Sequence, residues 1–111
     1  AVLAAGAAAF AAARPGATGD DVDRASREAC EAAGFTQFPH HTGHGTGFRY
    51  HESRPQLVPG SAHVLSAGNV IITEPGIYSA ELNGGVRFED NAVVTSDGAA
   101  VLATTDYGLD D

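Results

Sequence analysis

Residues 40–51 read HHTGHGTGFRYH, with histidines at 40, 41, 44 and 51 and glycines at 43, 45 and 47. A glycine weakens a helix interior by about 1 kcal/mol relative to alanine, so the stretch is read as extended or looped chain. It lies just inside the point where the helical period is lost. From Phe35 onward glycine, proline and β-branched residues dominate, and the second half is expected to be mostly strand.

Upstream the signals are helical. Residues 1–13 are alanine-rich, broken only by Gly6, and predict a helix with one weak point that stops near Arg14 because Pro15 excludes its predecessor from helical geometry. Thr18 followed by Asp21 is a capping-box-like start in which Asp replaces the usual Glu or Gln, and Gly34 supplies the stop. Within this second helix Val22, Ala25, Ala29 and Ala32 recur at helical spacing and predict a narrow, small-residue packing face. Cys30 lies beside that face and reads as a buried, inert thiol.

Downstream, Val70–Glu74 predicts a strand closed by Pro75-Gly76. A second strand is predicted over Val86–Thr95, with Gly84-Gly85 before it and Asp97-Gly98 after it. Ile77-Tyr78 and Ala100-Val101-Leu102 read as short strand pieces. The expected order is helix, helix, antiparallel sheet: one α+β domain over 1–111.

Composition narrows the function. The net charge of −8, from 14 acidic against 6 basic residues, argues against nucleic acid or an anionic membrane as the main partner. The apolar opening run stops at Arg14, short of the roughly 20 residues that a membrane span requires. One cysteine cannot form an internal disulfide, which fits a reducing, cytoplasmic compartment. An opening Ala and the lack of any Met lead us to expect a piece of a longer polypeptide.

The glycine-rich stretch 43–47 is not a phosphate loop, because neither G-x-G-x-x-G nor a Gly-Lys-Ser/Thr ending is present. Histidine combines metal ligation and proton transfer near neutral pH, so the cluster reads either as a site or as a histidine-rich surface loop. In an extended chain His40 and His44 share a face and His51 lies opposite unless the glycines let the chain bend. Glu74 ends its apolar strand before the Pro-Gly turn, and Glu89 sits among apolar residues where a lone carboxylate is costly to bury. Individually, Glu74 also reads as a solvent-facing strand end and Glu89 as the ion-pair partner of Arg87. Together, two carboxylates brought beside His44 would form a site for Mn²⁺, Fe²⁺, Co²⁺ or Zn²⁺.

HHTGHGTGFRYHE (40–52), NVIITEPGIY (69–78) and GGVRFED (84–90) resemble the three signature segments of the pita-bread metallopeptidases: Xaa-Pro dipeptidases, aminopeptidase P and methionine aminopeptidase. The opening helix, the RPG turn and the helix ending AAGF also match, so the resemblance covers essentially the whole chain. It implies a curved antiparallel sheet forming the C-terminal portion of a catalytic domain whose N-terminal half is missing. His40-x-x-x-His44-Gly45, with His51 seven residues after the ligand and Glu52 following, favours the proline-peptidase branch.

The resemblance implies two divalent ions in the intact enzyme. His44 would be a ligand, Glu74 a ligand that also shuttles the catalytic proton, and Glu89 a carboxylate bridging the metals. His51 would hydrogen-bond the substrate carbonyl or tetrahedral intermediate, His40 would line the proline side of the pocket, and Arg87 would orient substrate or ligands. Arg54 could meet a substrate carboxylate. His41 and His63 read as surface histidines.

The substrate implied is a peptide with proline after the scissile bond, and a homodimer is the implied assembly. Two further aspartate ligands belong to the preceding half of such a domain. Asp20, Asp21 and Asp23 lie in the predicted helix and cannot replace them, so little or no hydrolysis is expected of these 111 residues alone, and their incomplete ligand set can leave them without metal. The alternatives are a non-catalytic binding or scaffold module that retains the fold, and a non-peptidase reaction such as amidine hydrolysis on the same scaffold.

Overall fold

The computed structural model describes residues 1–81, 83–103 and 105–108. Helix α1 (Val2–Ala12) turns Val2, Ala5 and Ala9 inward, and Ala13 follows them into the core. Alanine at these positions lets α1 lie close against α2 (Gly19–Ala32). The start of α2 is the capping box expected: Thr18 accepts from the Asp21 backbone N–H, and the Asp21 carboxylate accepts from that of Thr18. Hydrogen bonds from Gly19 to the His63 carbonyl and from Asp20 to that of Ser61 tie this end to the 58–65 loop.

The buried face of α2 differs from the small-residue stripe expected. Gly19, Val22, Asp23, Ser26, Arg27 and Cys30 are buried, whereas Ala25 and Ala29 are half-buried and Ala32 is exposed. Sequence reading follows apolarity, and the actual face includes a charged pair that is neutralised internally. Cys30 is fully buried, as expected.

Among the described residues seven short strands follow: β1 (Gly43–Gly45), β2 (Gln56–Leu57), β3 (Val70–Thr73), β4 (Gly76–Ser79), β5 (Gly84–Arg87), β6 (Asp90–Val94) and β7 (Ala99–Val101). Five form an antiparallel sheet in the order β2-β1-β3-β6-β7, while β4 and β5 make a separate ribbon. Ile71, Ala92 and Val94 pack against Ala9, Ala13 and Val22, so one sheet face meets the helices. Burying each such aliphatic side chain contributes about 1.5–3 kcal/mol.

The strand expected over Val86–Thr95 is divided between the two sheets. Its register nevertheless runs through: Thr73 pairs with Asp90 and Gly76 with Arg87, which leaves Glu74 and Pro75 opposite Glu89 and Phe88. The ladder breaks there because Pro75 has no N–H to donate. Tyr107 braces the bend, stacking on Phe88 at 4.1 Å and donating to the Glu89 carbonyl at 3.1 Å. Between β1 and β3 the chain is mostly loop, with only Gln56–Leu57 in a strand. Among the described residues no helix is long and apolar enough to cross a membrane.

Candidate metal and catalytic site

His44 sits on β1, which lies between β2 and β3 in the five-stranded sheet. It pairs with Ile72, which in turn pairs with Asn91, so the three lie in one row across β1, β3 and β6. By strand alternation this row faces away from Ile71 and Ala92, and hence away from the helices. Gly43 and Gly45 flank His44 because there is no room for a side chain on either. A Cβ on Gly43 would overlap the Ile72 carbonyl oxygen, and one on Gly45 would overlap that of Arg54.

The imidazole of His44 is only 3% exposed. Its Nδ1 lies 2.9 Å from the Gly45 carbonyl oxygen, which can only accept, so Nδ1 carries the proton and Nε2 keeps a lone pair. That Nε2 is buried with no hydrogen-bond partner and stands 3.8 Å from Oε1 of Glu74. A buried, unsatisfied ring nitrogen whose tautomer is set by a carbonyl is the arrangement found in metal-binding histidines.

The bend foreseen after the glycines occurs. Glu52 N–H bonds back to the Gly45 carbonyl at 2.9 Å, and Arg49 N–H to the Glu52 carboxylate at 2.9 Å. The turn returns His51 to His44, ring centroids 3.9 Å apart, and stacks Tyr50 on His51 at 4.9 Å. Tyr50 was missed by sequence reading. Its hydroxyl donates to Glu89, and that bond, followed by burial and the carboxylate's charge, holds the phenol above its ordinary range. A tyrosine beside a candidate site histidine was the available signal.

Of the two carboxylates expected beside His44, Glu74 is there, Oε1 3.8 Å from Nε2, and Glu89 is turned to another partner. Glu74 turns Oε2 toward Arg87 Nη1 at 3.9 Å, whereas Glu89 is tied to Tyr50. Like charges opposed across a ladder repel, and each has taken its own partner. Among the described residues no three His, Cys, Asp or Glu side chains are close enough to hold a metal ion. The donor chemistry still fits a divalent cation: one free imidazole lone pair and two facing carboxylates, with no thiolate.

His40 is half-buried, with Nε2 2.7 Å from the Tyr78 hydroxyl and Nδ1 2.9 Å from the His41 carbonyl. Arg54 and His41 are exposed. His63 is not a plain surface residue, since its half-buried ring accepts from the Gln56 N–H at 3.2 Å on edge strand β2. Asp20, Asp21 and Asp23 all lie in α2, away from this face.

The model of Metallopeptidase family M24 matches residues 1–96. The chain is 45% identical over 86 residues to the uncharacterized peptidase YqhT of Bacillus subtilis, an alignment covering 77% of this chain and 24% of that protein. It is 42% identical over 99 residues to the Xaa-Pro dipeptidase of Pyrococcus furiosus, covering 88% and 28%. The crystal structure of dipeptidase PepE from Mycobacterium ulcerans superposes with a TM-score of 0.87 at 40% identity, over 96% of this chain and 28% of that one. The chain thus spans less than a third of the length of these relatives. Its two helices and antiparallel sheet are part of a pita-bread domain.

Proposed function

The chain belongs to metallopeptidase family M24, and from that membership we propose that residues 1–111 form the C-terminal portion of one catalytic domain whose parent hydrolyses Xaa-Pro peptide bonds. The observation that carries this reading is the buried Nε2 of His44, its lone pair free and Glu74 3.8 Å away. The substrate class is supported by 42% identity to an Xaa-Pro dipeptidase.

In this reading His44, Glu74 and Glu89 hold two divalent ions, Mn, Co, Fe or Zn, together with carboxylates from outside the chain. When bound, such ions supply Lewis acidity that acidifies a water nucleophile and neutralises charge on the scissile carbonyl oxygen. Glu74 accepts the proton of the attacking water and returns it to the leaving amine, while Arg87 steadies its carboxylate. His51, stacked on Tyr50 and packed against His44, donates a hydrogen bond to the carbonyl oxygen as it becomes tetrahedral. Tyr50 fixes Glu89. His40 walls the pocket on the proline side. Alone, the 111 residues hydrolyse Xaa-Pro dipeptides little or not at all.

The test is His44→Ala in the full-length parent, assayed for Xaa-Pro dipeptide hydrolysis and for metal content by elemental mass spectrometry. A fall in kcat/KM on the order of a thousandfold, with loss of bound metal, is expected. Unchanged hydrolysis would refute the metal-ligand role.

A further inference from the structure

Asp23 and Arg27 stand one turn apart on α2, both buried, and together they hold the segment that leads into β1. Arg27 donates through Nε to Asp23 Oδ2 at 2.8 Å, through Nη1 to the Phe38 carbonyl at 2.7 Å, and through Nη2 to the His40 carbonyl at 2.8 Å. The remaining Asp23 oxygen accepts from the Thr42 hydroxyl at 2.7 Å. Residues 38, 40 and 42 are thus fixed to α2 in alternation, and His44 is next in that series. A buried ion pair rarely improves stability over an apolar pair of similar volume, because both charges are desolvated. The contribution of this pair is positional, since its side-chain hydrogen bonds to other elements all go to one short stretch of chain.

Through Thr42 this grip reaches the candidate site. Thr42 is fully buried at the bend that opens β1. In a regular strand residues 42 and 44 would share a face, and the bend turns the Thr42 hydroxyl to α2 while His44 keeps to the site. The Thr42 backbone is held on both sides. Its N–H donates to the Leu57 carbonyl at 3.1 Å, and its carbonyl accepts from the Glu74 N–H at 2.7 Å. That last bond carries the β1–β3 ladder one step beyond the Gly43–Thr73 pair, and the next residue, Pro75, has no N–H with which to continue it. A line of hydrogen bonds therefore runs Arg27–Asp23–Thr42–Glu74. It ends on one candidate ligand and passes two residues from the other.

We propose that Asp23 and Thr42 are positioning residues for the candidate metal site. The Thr42 hydroxyl, anchored on Asp23, fixes the backbone of Glu74 and thereby the 3.8 Å separation of its carboxylate from His44 Nε2. The metal part of this inference rests on the function proposed above.

The test uses the full-length parent with Thr42→Val, which keeps the size and removes the hydroxyl, and Thr42→Ser, which keeps the hydroxyl and removes a methyl group. Three readouts are taken: hydrogen exchange of the Glu74 amide in the metal-free protein, Mn²⁺ affinity by calorimetric titration, and kcat and KM for an Xaa-Pro dipeptide. In Thr42→Val we expect the Glu74 amide to exchange about tenfold faster or more and Mn²⁺ affinity to fall about 10- to 100-fold. The fall in kcat is similar, with KM within about threefold. Thr42→Ser stays within about threefold of the wild type in all three readouts, although the lost methyl group lowers its Tm.

Unchanged Glu74 exchange in Thr42→Val overturns the positioning role, whatever happens to thermal stability. Faster exchange with unchanged Mn²⁺ affinity and kcat overturns the link to the site. Losses in Thr42→Ser as large as those in Thr42→Val also overturn the proposal, because they would follow packing and not the hydroxyl. A wild-type parent that binds no Mn²⁺ sinks the proposed function instead, and the Glu74 exchange still decides the positioning. Should Thr42→Val fail to fold, Thr42→Ala removes the same hydroxyl without placing a methyl group against Asp23 and carries the test.

Discussion

His44 Nε2 and Glu74 Oε1 face each other at 3.8 Å, too far for a hydrogen bond, in a site where both side chains are largely shielded from water. The other oxygen of Glu74 lies 3.9 Å from the half-exposed guanidinium of Arg87. Because the guanidinium is half-exposed to solvent and the contact is long, the pair contributes little to folding, so Arg87→Gln changes stability by less than about 1 kcal/mol. As support for a site carboxylate it matters more. In the parent enzyme we expect kcat/KM to fall about 10- to 100-fold, measured by dipeptide hydrolysis.

Two glycine substitutions should have opposite signs. Gly6 lies inside α1, where an added Cβ would find its nearest neighbour, Pro75 Cγ, at 3.9 Å. Gly6→Ala therefore raises stability by about 0.5–1 kcal/mol. Gly43→Ala forces a Cβ into the Ile72 carbonyl and to 3.1 Å from Leu57 Cδ1, lowering stability by about 1–3 kcal/mol. Urea midpoints of the two variants that move in the same direction would contradict this.

The cap of α2 carries a pH dependence. Asp21 is held below its ordinary carboxyl range first by the Thr18 backbone N–H and then by the Thr18 hydroxyl, with desolvation opposing the shift and Arg24 adding to the lowering. Because the folded value is depressed, its contribution is present above the ordinary value of 3.8 and is lost as pH falls through the folded value. Thr18→Ala should cost about 1 kcal/mol at neutral pH. It should also move the Asp21 carboxyl titration upward, as followed by carbon NMR between about pH 2 and 5.

Tyr50 reports on Glu89. The folded phenol is raised, chiefly by its hydrogen bond to Glu89, so its contribution is full below the ordinary value of 10.0 and is lost as pH rises through the folded value. Glu89→Gln should bring the Tyr50 titration back toward that ordinary value. An NMR titration of labelled tyrosine that stayed unchanged would show that the hydroxyl does not depend on this carboxylate.

Burial pushes the Cys30 thiol up, with nearby positive charges opposing the shift and Glu31 adding to it. Native Cys30 should react with a disulfide reagent on the order of 100-fold more slowly than in denaturant. Fast labelling without unfolding would mean that the contacts of Ala5, Cys30 and Phe38 open readily.

The local features were legible in the chain itself because short-range physics decides them. Thr18 and Asp21 make the cap within one turn, Pro15 limits α1, and β-branched runs make β3 and β6. The glycines around His44 signalled a bend, and the spacing of His44, Glu74 and Glu89 marked the candidate site. What only tertiary structure decided were relationships between distant segments. Pro75 divides one long ladder at the point where Glu74 and Glu89 face each other, Glu52 folds His51 back onto His44, and Tyr50 comes to Glu89 from 39 residues away. The buried face of α2 was hidden for the same reason. Asp23 and Arg27 are buried because Phe38, His40 and Thr42 arrive to satisfy them, and no periodicity in α2 encodes that arrival.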